Sequence, residues 1–346
     1  MKCLSRLLVK GAFSGRGLNH SALKNDNRYM KIDIPYKDIG INETKLFLTA
    51  HRIPLKYKVY KIPKRHAGVR IIAQPTPEVK EIQRKLVGFL RTKLRIHNCA
   101  TAYEAGKGIK ENALKHVKNQ YLLKMDLANF FNSITPDIFQ NALAHDSIEL
   151  DETTWTTLVN VFFWAPGKKL TGKLVLSVGA PSSPFISNYI MKRFDEQVSD
   201  LCEKSGVTYT RYADDITFST NQQNILFSLK ENIGSLLQTN GYKNININES
   251  KTVFSSKAHN RHVTGVTLTN DGKLSVGRDK KRYASSLIFR FRLAELCHDD
   301  ILFLKGLLAH YFHIEPSFRC SMEKKYGKDI IHALMKYQGG VHEPNN

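Results

Sequence analysis

Thr208-Tyr-Thr-Arg-Tyr-Ala-Asp-Asp-Ile-Thr-Phe-Ser219 sets two adjacent acids between two strand-like runs. Val207 to Arg211 alternates with β-branched and aromatic residues, and a second such run follows Asp215. Asp214 and Asp215 therefore fall at a tight hairpin that projects from the end of a sheet. Neighbouring carboxylates repel one another. Divalent cations remove that cost, because hard oxygen ligands suit magnesium and the phosphates it carries. On its own an Asp-Asp pair reads better as an ordinary polar turn, and it is the flanking sequence that shifts the balance.

The run Tyr121-Leu-Leu-Lys-Met125 is another short apolar strand, and it ends in a lone acid, Asp126. If the strands are neighbours, three carboxylates face one pocket. Such a cluster holds metal ions roughly 3.5 to 4 Å apart, one activating an attacking hydroxyl and the other stabilising a leaving pyrophosphate. That is the chemistry of nucleotidyl transfer. Helical spacing covers Pro136 to about His145, Glu152 to about Phe163, Ser183 to about Glu203, and Gln223 to about Gly241. Thr76-Pro77 supplies an N-cap and a first-turn proline for a helix whose apolar stripe is Val79, Ile82, Leu86, Phe89, Leu90 and Leu94. Its other face, with Lys80, Arg84, Lys85, Arg91 and Lys93, reads either as solvated or as a track for a phosphate backbone. After Gly277 the spacing is helical throughout. This order predicts an α+β fold with an antiparallel sheet, followed by a small helical bundle.

Across 346 residues, 52 Lys and Arg against 31 Asp and Glu leave a formal net charge of +21. Nucleic acid is the leading partner class, although a membrane surface or an acidic protein satisfies the same arithmetic. Cys3, Cys99, Cys202, Cys297 and Cys320 are scattered without zinc-ligand spacing, which predicts free thiols in a reducing compartment. No run approaches the roughly 18 to 20 apolar residues of a spanning helix, so a soluble cytoplasmic protein without membrane contact is expected. The first 24 residues hold no Asp or Glu and carry Lys2, Arg6, Lys10, Arg16 and Lys24. They read as a flexible basic arm, with an organellar transit peptide as the alternative.

Tyr212-Ala-Asp-Asp215 resembles the Tyr-x-Asp-Asp box of reverse transcriptases, Asp126-Leu-Ala-Asn-Phe-Phe131 their first catalytic motif, and Gly179-Ala-Pro-Ser-Ser-Pro184 the template- and nucleotide-contacting motif between them. Asn112-Ala-Leu-Lys-His116 and Val263-Thr-Gly265 are similar to the Asn-Ala-x-x-His and Val-Thr-Gly motifs of bacterial retron reverse transcriptases. Read alone, Asn112 and His116 suit a capped helix with a core histidine. The resemblance covers roughly residues 40 to 340 and implies a right-hand polymerase. Residues 1–30 would be a basic arm, 31–120 fingers with N-terminal helices, 121–270 a palm with inserted fingers helices, and 271–346 a helical thumb. The chain has no room for the extra segments of group II intron enzymes, and no RNase H domain is evident.

By the same resemblance, Asp126 and Asp214 chelate two Mg2+ ions with the Leu127 carbonyl assisting, and Asp215 supports the primer end or the metal. Arg70, in Gly68-Val-Arg-Ile-Ile72, grips the incoming deoxynucleoside triphosphate, with Lys61 and Lys64 assisting. Phe131 is the aromatic gate against a ribose 2′-hydroxyl, and Ala180 belongs to the nucleotide-contacting motif. Lys251, in Asn248-Glu-Ser-Lys-Thr252, neutralises or protonates the leaving pyrophosphate. Phe131 also suits plain core packing, and Lys251 a solvated surface. One departure stands out: Ser177-Val178 replaces the usual Pro-Gln, so a side-chain amide is missing before Gly179. Asn112, His116, Val263, Thr264 and Gly265 are expected at the cognate RNA, together with a cationic stripe of Arg278, Lys280, Lys281, Arg282, Arg290 and Arg292.

Retron enzymes pair with their own structured noncoding RNA, start DNA from a guanosine 2′-hydroxyl, and leave RNA-linked single-stranded DNA. In defence against phage they hold an effector protein inactive. The alternatives are an abortive-infection, diversity-generating or intron-type reverse transcriptase, a mitochondrial maturase-like enzyme, or an RNA-binding scaffold without catalysis.

Overall fold

The computed structural model describes residues 29–64, 68–169 and 171–338. The expected basic arm lies outside them apart from its last two residues, and Cys3 lies outside with it. β1 (Met30–Lys31) is followed by α1 (Glu43–Thr49), whose Asn42 cap accepts from Lys45 N at 2.8 Å. After a 3₁₀ turn at Ala50–Leu55, β2 (Tyr57–Pro63) and β3 (Val69–Pro75) form an antiparallel hairpin that pairs Ile62 with Arg70. The hairpin stands out from the body, with Val59, Ile62, Val69 and Ile71 exposed. Its base is anchored where Tyr57 and Ala73 pack with Trp164, Val175 and Ala180. In α2 (Pro77–Leu90) the proline occupies the first turn as predicted. Thr76 makes no side-chain cap bond, however, and its hydroxyl is buried without a partner. α3 (Ile109–His116) follows.

The centre is built from β4 (Tyr121–Ala128), α4 (Phe130–Ser133), α5 (Pro136–His145), β5 (Ile148–Glu149), which pairs in parallel with β1, and α6 (Glu152–Phe162). Then come α7 (Ser183–Ile190), α8 (Lys192–Lys204), β6 (Thr208–Tyr212), β7 (Asp215–Thr220), α9 (Ile225–Thr239) and β8 (Asn246–Ser256). Strand order is β6-β7-β4-β8, antiparallel throughout, as expected for a palm. The single helix predicted from Ser183 to Glu203 is two helices that meet at Met191. The buried Tyr242 hydroxyl donates to Ile190 O at 2.9 Å, a carbonyl that an uninterrupted helix would use itself.

Side-chain alternation gives the central strands two buried faces. Leu123, Met125 and Leu127 of β4 join Tyr209, Ile216 and Phe218 in the main core under α5 to α9, whereas Leu122 belongs to a second core. That second core begins at β9 (Arg261–Val263), β10 (Val266–Leu268) and β11 (Leu274–Ser275), a small antiparallel sheet. It continues through α10 (Arg278–Arg292), α11 (His298–Ile314), α12 (Pro316–Tyr326) and α13 (Lys328–Lys336). Leu287, Leu304, Leu308, Ile331 and Leu334 are buried there on the predicted helical spacing, and Ala113 and Val117 from α3 and its end close it from the palm side.

Candidate active site

Strand register sets Asp126 directly opposite Asp215, and Leu127 N donates to Asp214 O at 3.0 Å. The lone acid and the pair therefore meet at one end of the sheet, as the sequence predicted. The loop joining β6 to β7 is two residues, Ala213 and Asp214. Ala213 takes φ +58°, the left-handed value that primed hairpin turns need at a position where glycine is usual. With Met125, Ile216 and Phe218 in the main core, Lys124, Asp126, Asp215 and Thr217 turn to the opposite face. They line a cavity of about 380 Å³ together with Tyr212, Lys251, Thr264 and Gly265.

Burial, then the charges of Asp214 and Asp126, push the Asp215 carboxyl up to about 6. Burial raises Asp214 too, with Asp126 adding to it. Asp126 Oδ1 accepts from Lys251 Nζ at 2.8 Å and its Oδ2 from Asn248 Nδ2 at 3.2 Å. Lys251 alone bonds this trio directly, with Lys124 and Arg70 within electrostatic reach, and the hard carboxylate oxygens suit a divalent cation. Among the described residues, the cluster whose ligand atoms all lie within 4.8 Å of one another is a different one, His97, Cys99 and Asp195, and it does not suit a divalent cation. Asp195 already accepts from Arg211 and from the Tyr209 hydroxyl, and burial holds the Cys99 thiol well above its ordinary pKa.

Arg211 explains why the acidic hairpin keeps its shape. Its guanidinium is wholly buried and bonds Asp195 through Nε at 2.8 Å and Nη2 at 2.6 Å, while Nη1 reaches Asn188 Oδ1 at 3.0 Å and Ala213 O at 3.1 Å. A fixed fork of donors thus holds the carbonyl of the residue at positive φ. Asn248 and Arg211 were not singled out from the sequence. Arg211 adjoins the Tyr-x-Asp-Asp box, but nothing in the sequence names Asp195 as its partner.

Phe131 lines a second cavity, of about 340 Å³, with Lys80, Arg84, Tyr103, Ser177 and the segment from Val178 to Ala180. Val178 accepts through its backbone oxygen from Ala73 N at 3.0 Å, so the position that lacks the usual amide is tied to β3 through its main chain. Gly179 has φ +124°, and a Cβ there would stand 3.0 Å from Ile72 Cγ2, which fixes glycine at this crossing. Arg70, exposed on β3, lies within electrostatic reach of Asp214 and Tyr103.

The two retron-like motifs touch. Asn112 Nδ2 donates to Thr264 Oγ1 at 3.5 Å, and Ala113 packs in one core with Val263. His116 sits between two hydroxyls, with Nδ1 2.7 Å from Ser219 Oγ and Nε2 2.7 Å from Thr210 Oγ1, and burial lowers its pKa to about 3. Asn112, His116 and Val263 are wholly buried, which corrects their expected place at the RNA: they hold the palm to α3 and cannot present side chains to a ligand. Thr264 and Gly265 have φ +46° and +81°, the paired positive values of a type I′ turn, and this turn faces the acids. Arg278, Lys280 and Arg282 are exposed at the start of α10, with Lys280 Nζ 3.0 Å from Gly265 O. Lys281 is paired with Glu315, so it differs from its neighbours in having its charge already met.

Residues 62–268 match the family described as Reverse transcriptase (RNA-dependent DNA polymerase). The chain is 51% identical over 284 residues to the Retron Ec83 reverse transcriptase of Escherichia coli, covering 82% of this chain and 91% of that one. It is 32% identical over 295 residues to the Retron Ec73 reverse transcriptase of Escherichia coli, covering 81% and 90%. Among solved structures, a telomerase from Candida albicans in complex with a fragment of telomeric RNA aligns over 85% of this chain and 59% of that one, with a TM-score of 0.48 and 12% identity. Among the described residues, no helix is long and apolar enough to cross a membrane. A family match that takes in both acid-bearing strands, joined to retron relatives along nearly their whole length, places this chain among the reverse transcriptases: it belongs to that family as the RNA-directed DNA polymerase of a retron, with the family's need for a divalent metal.

Proposed function

We propose that this polymerase copies a cognate structured noncoding RNA into single-stranded DNA that stays joined to the RNA through a guanosine 2′-hydroxyl, in the bacterial cytoplasm. The observation that carries the reading is the shared cavity, in which the Thr264-Gly265 turn of the retron-like motif stands beside Asp126, Asp215 and Lys251. A branching nucleotide offers its 2′-oxygen while its RNA continues from the 3′-oxygen, so it needs room next to the acids. Gly265 leaves that room, since nothing lies within 4 Å of where a Cβ would stand.

Asp126 and Asp214, with the Leu127 carbonyl, would hold two Mg2+ ions, and Asp215 would support the primer end or the metal. Bound there, the ions supply neutralisation of charge on the attacking and leaving oxygens. Arg70 orients the triphosphate with its planar fork, and Lys61 and Lys64 add charge on the same hairpin. Phe131, which lines one cavity with Ala180, closes the space a ribose 2′-hydroxyl would need. Lys251 Nζ, freed from Asp126, donates a proton to the departing pyrophosphate. Thr264, Gly265, Arg278, Lys280 and Arg282 face the RNA. The effector protein and the role in phage defence follow from the retron resemblance alone.

Co-expression of the chain with the RNA encoded beside its gene, followed by denaturing gels before and after ribonuclease and 2′,5′-debranching treatment, tests the priming. The expected product is DNA that changes mobility with each treatment and is absent from the Asp214→Asn, Asp215→Asn variant. DNA with a free 5′ end overturns the 2′-priming and leaves the polymerase assignment standing. Phage resistance that survives loss of both acids overturns the link between DNA synthesis and defence.

A further inference from the structure

We propose that Tyr103 is the stacking platform for the templating RNA base, with Lys80 and Arg84 holding the phosphate beside it. The loop that carries Tyr103 is pinned on every side. Thr101 N and Oγ1 both donate to Arg211 O, at 2.8 and 3.1 Å, and Asn188 Nδ2 donates to Ala102 O at 2.9 Å. Arg91 donates to Tyr103 O at 3.3 Å and pairs with Glu104 at 3.2 Å. Within this rigid frame Tyr103 has φ +64°, where a turn would favour glycine or asparagine, yet its ring is 47% exposed. Neither core packing nor turn chemistry calls for an aromatic residue here, and strain of this kind is a mark of functional positions.

The ring lines the cavity shared by Phe131, Ala180, Lys80 and Arg84, and its hydroxyl lies within electrostatic reach of Asp214, Tyr212 and Arg70. Two sets of cations therefore flank it. Arg70 belongs to the incoming triphosphate, which leaves Lys80 and Arg84, on α2, for a second strand's phosphate. A template site must accept all four bases, and stacking on an aromatic face is indifferent to base identity in a way that hydrogen bonding is not. The inference rests on the assignment of Arg70, Phe131 and Ala180 to the incoming nucleotide, and the test reads the template separately from that nucleotide.

The probe is the full chain bound to an RNA template annealed to a DNA primer, with 2-aminopurine as the templating base. The wild-type protein and Tyr103→Phe are expected to quench its fluorescence. Tyr103→Ala and Tyr103→Gly should lose the quench and weaken template–primer binding by about tenfold, with the KM for the deoxynucleotide changed less than twofold. Glycine suits φ +64°, so Tyr103→Gly removes the ring while relieving the backbone, and an unaltered melting temperature separates loss of stacking from loss of fold. Unchanged fluorescence in both ring-less variants overturns the proposal. A raised KM with template affinity intact also overturns it and assigns the ring to the incoming base.

Discussion

Asp215 carries the sharpest prediction at the residue scale. Its folded carboxyl titrates near 6 against an ordinary value of 3.8. Between about 4 and 6 the folded chain therefore holds more protons than the unfolded one, so this group lowers metal-free stability as pH rises through that window. A metal needs the carboxylate and pulls the other way, so affinity for Mn2+ by calorimetric titration should fall as pH drops below about 6. Urea melts of Asp215→Asn without metal should show a flatter pH slope from 4 to 6. Phe131 gives a second test: Phe131→Ala should reduce discrimination against ribonucleotides by roughly 10- to 100-fold in single-nucleotide primer extension. Unchanged discrimination would leave Phe131 as packing against Phe130, whose ring centroid is 5.4 Å away. The acids were legible because their chemistry is rare in strands. Tyr103 was not, because a lone aromatic in a loop carries no signal until its surroundings are known.

At the scale of elements, the acidic hairpin and α3 are each held by a buried polar side chain, Arg211 and His116, that bonds more than one partner. Replacing Asp195 with alanine strands the Arg211 guanidinium in the core and should cost about 3 to 5 kcal/mol, read as a lower urea midpoint with an unchanged m-value. His116 ties α3 to β6 and β7 only as neutral imidazole. Its folded pKa of about 3 lies below the ordinary 6.5, so its contribution is complete above 6.5 and is lost as pH falls, at up to about 1.4 kcal/mol per pH unit. His116→Gln should flatten that acid limb, the opposite sense to the Asp215 slope, which lets the two be told apart in one pH series. Helix and strand positions were readable from spacing. The break at Met191 was not, because it coincides with a hydroxyl arriving at Ile190 O from Tyr242, 52 residues further along the chain.

For the whole molecule, the net charge of +21 sets a salt dependence, and the structure sorts the cations that produce it. Changing Arg278, Lys280 or Arg282 to glutamine should reduce the slope of log affinity for template–primer against log salt by about one each. Lys281→Gln should change that slope much less and lower thermal stability instead, because Glu315, which also accepts from Ser275 Oγ and Val276 N, would lose its cation. Equal slope changes for Lys281 and its neighbours would contradict this sorting. The second hydrophobic core joins α3 and Leu122 to the C-terminal helices, so the small β9–β11 sheet and its turn beside the acids are built into the same packing as α10 to α13.

By itself the sequence determined the fold class and which acids stand at the strand ends, because period-2 alternation, helical spacing and strand-end carboxylates are local patterns set by covalent geometry. Only the tertiary structure decided which polar residues serve a ligand and which serve the interior. Asn112 and His116 are spelled like binding residues, yet packing buries them, and Thr264 reaches the cavity only because β9 and β10 turn back against α3. Such roles depend on what a side chain meets across tens or hundreds of residues, and contacts of that range have no periodicity for a sequence to display.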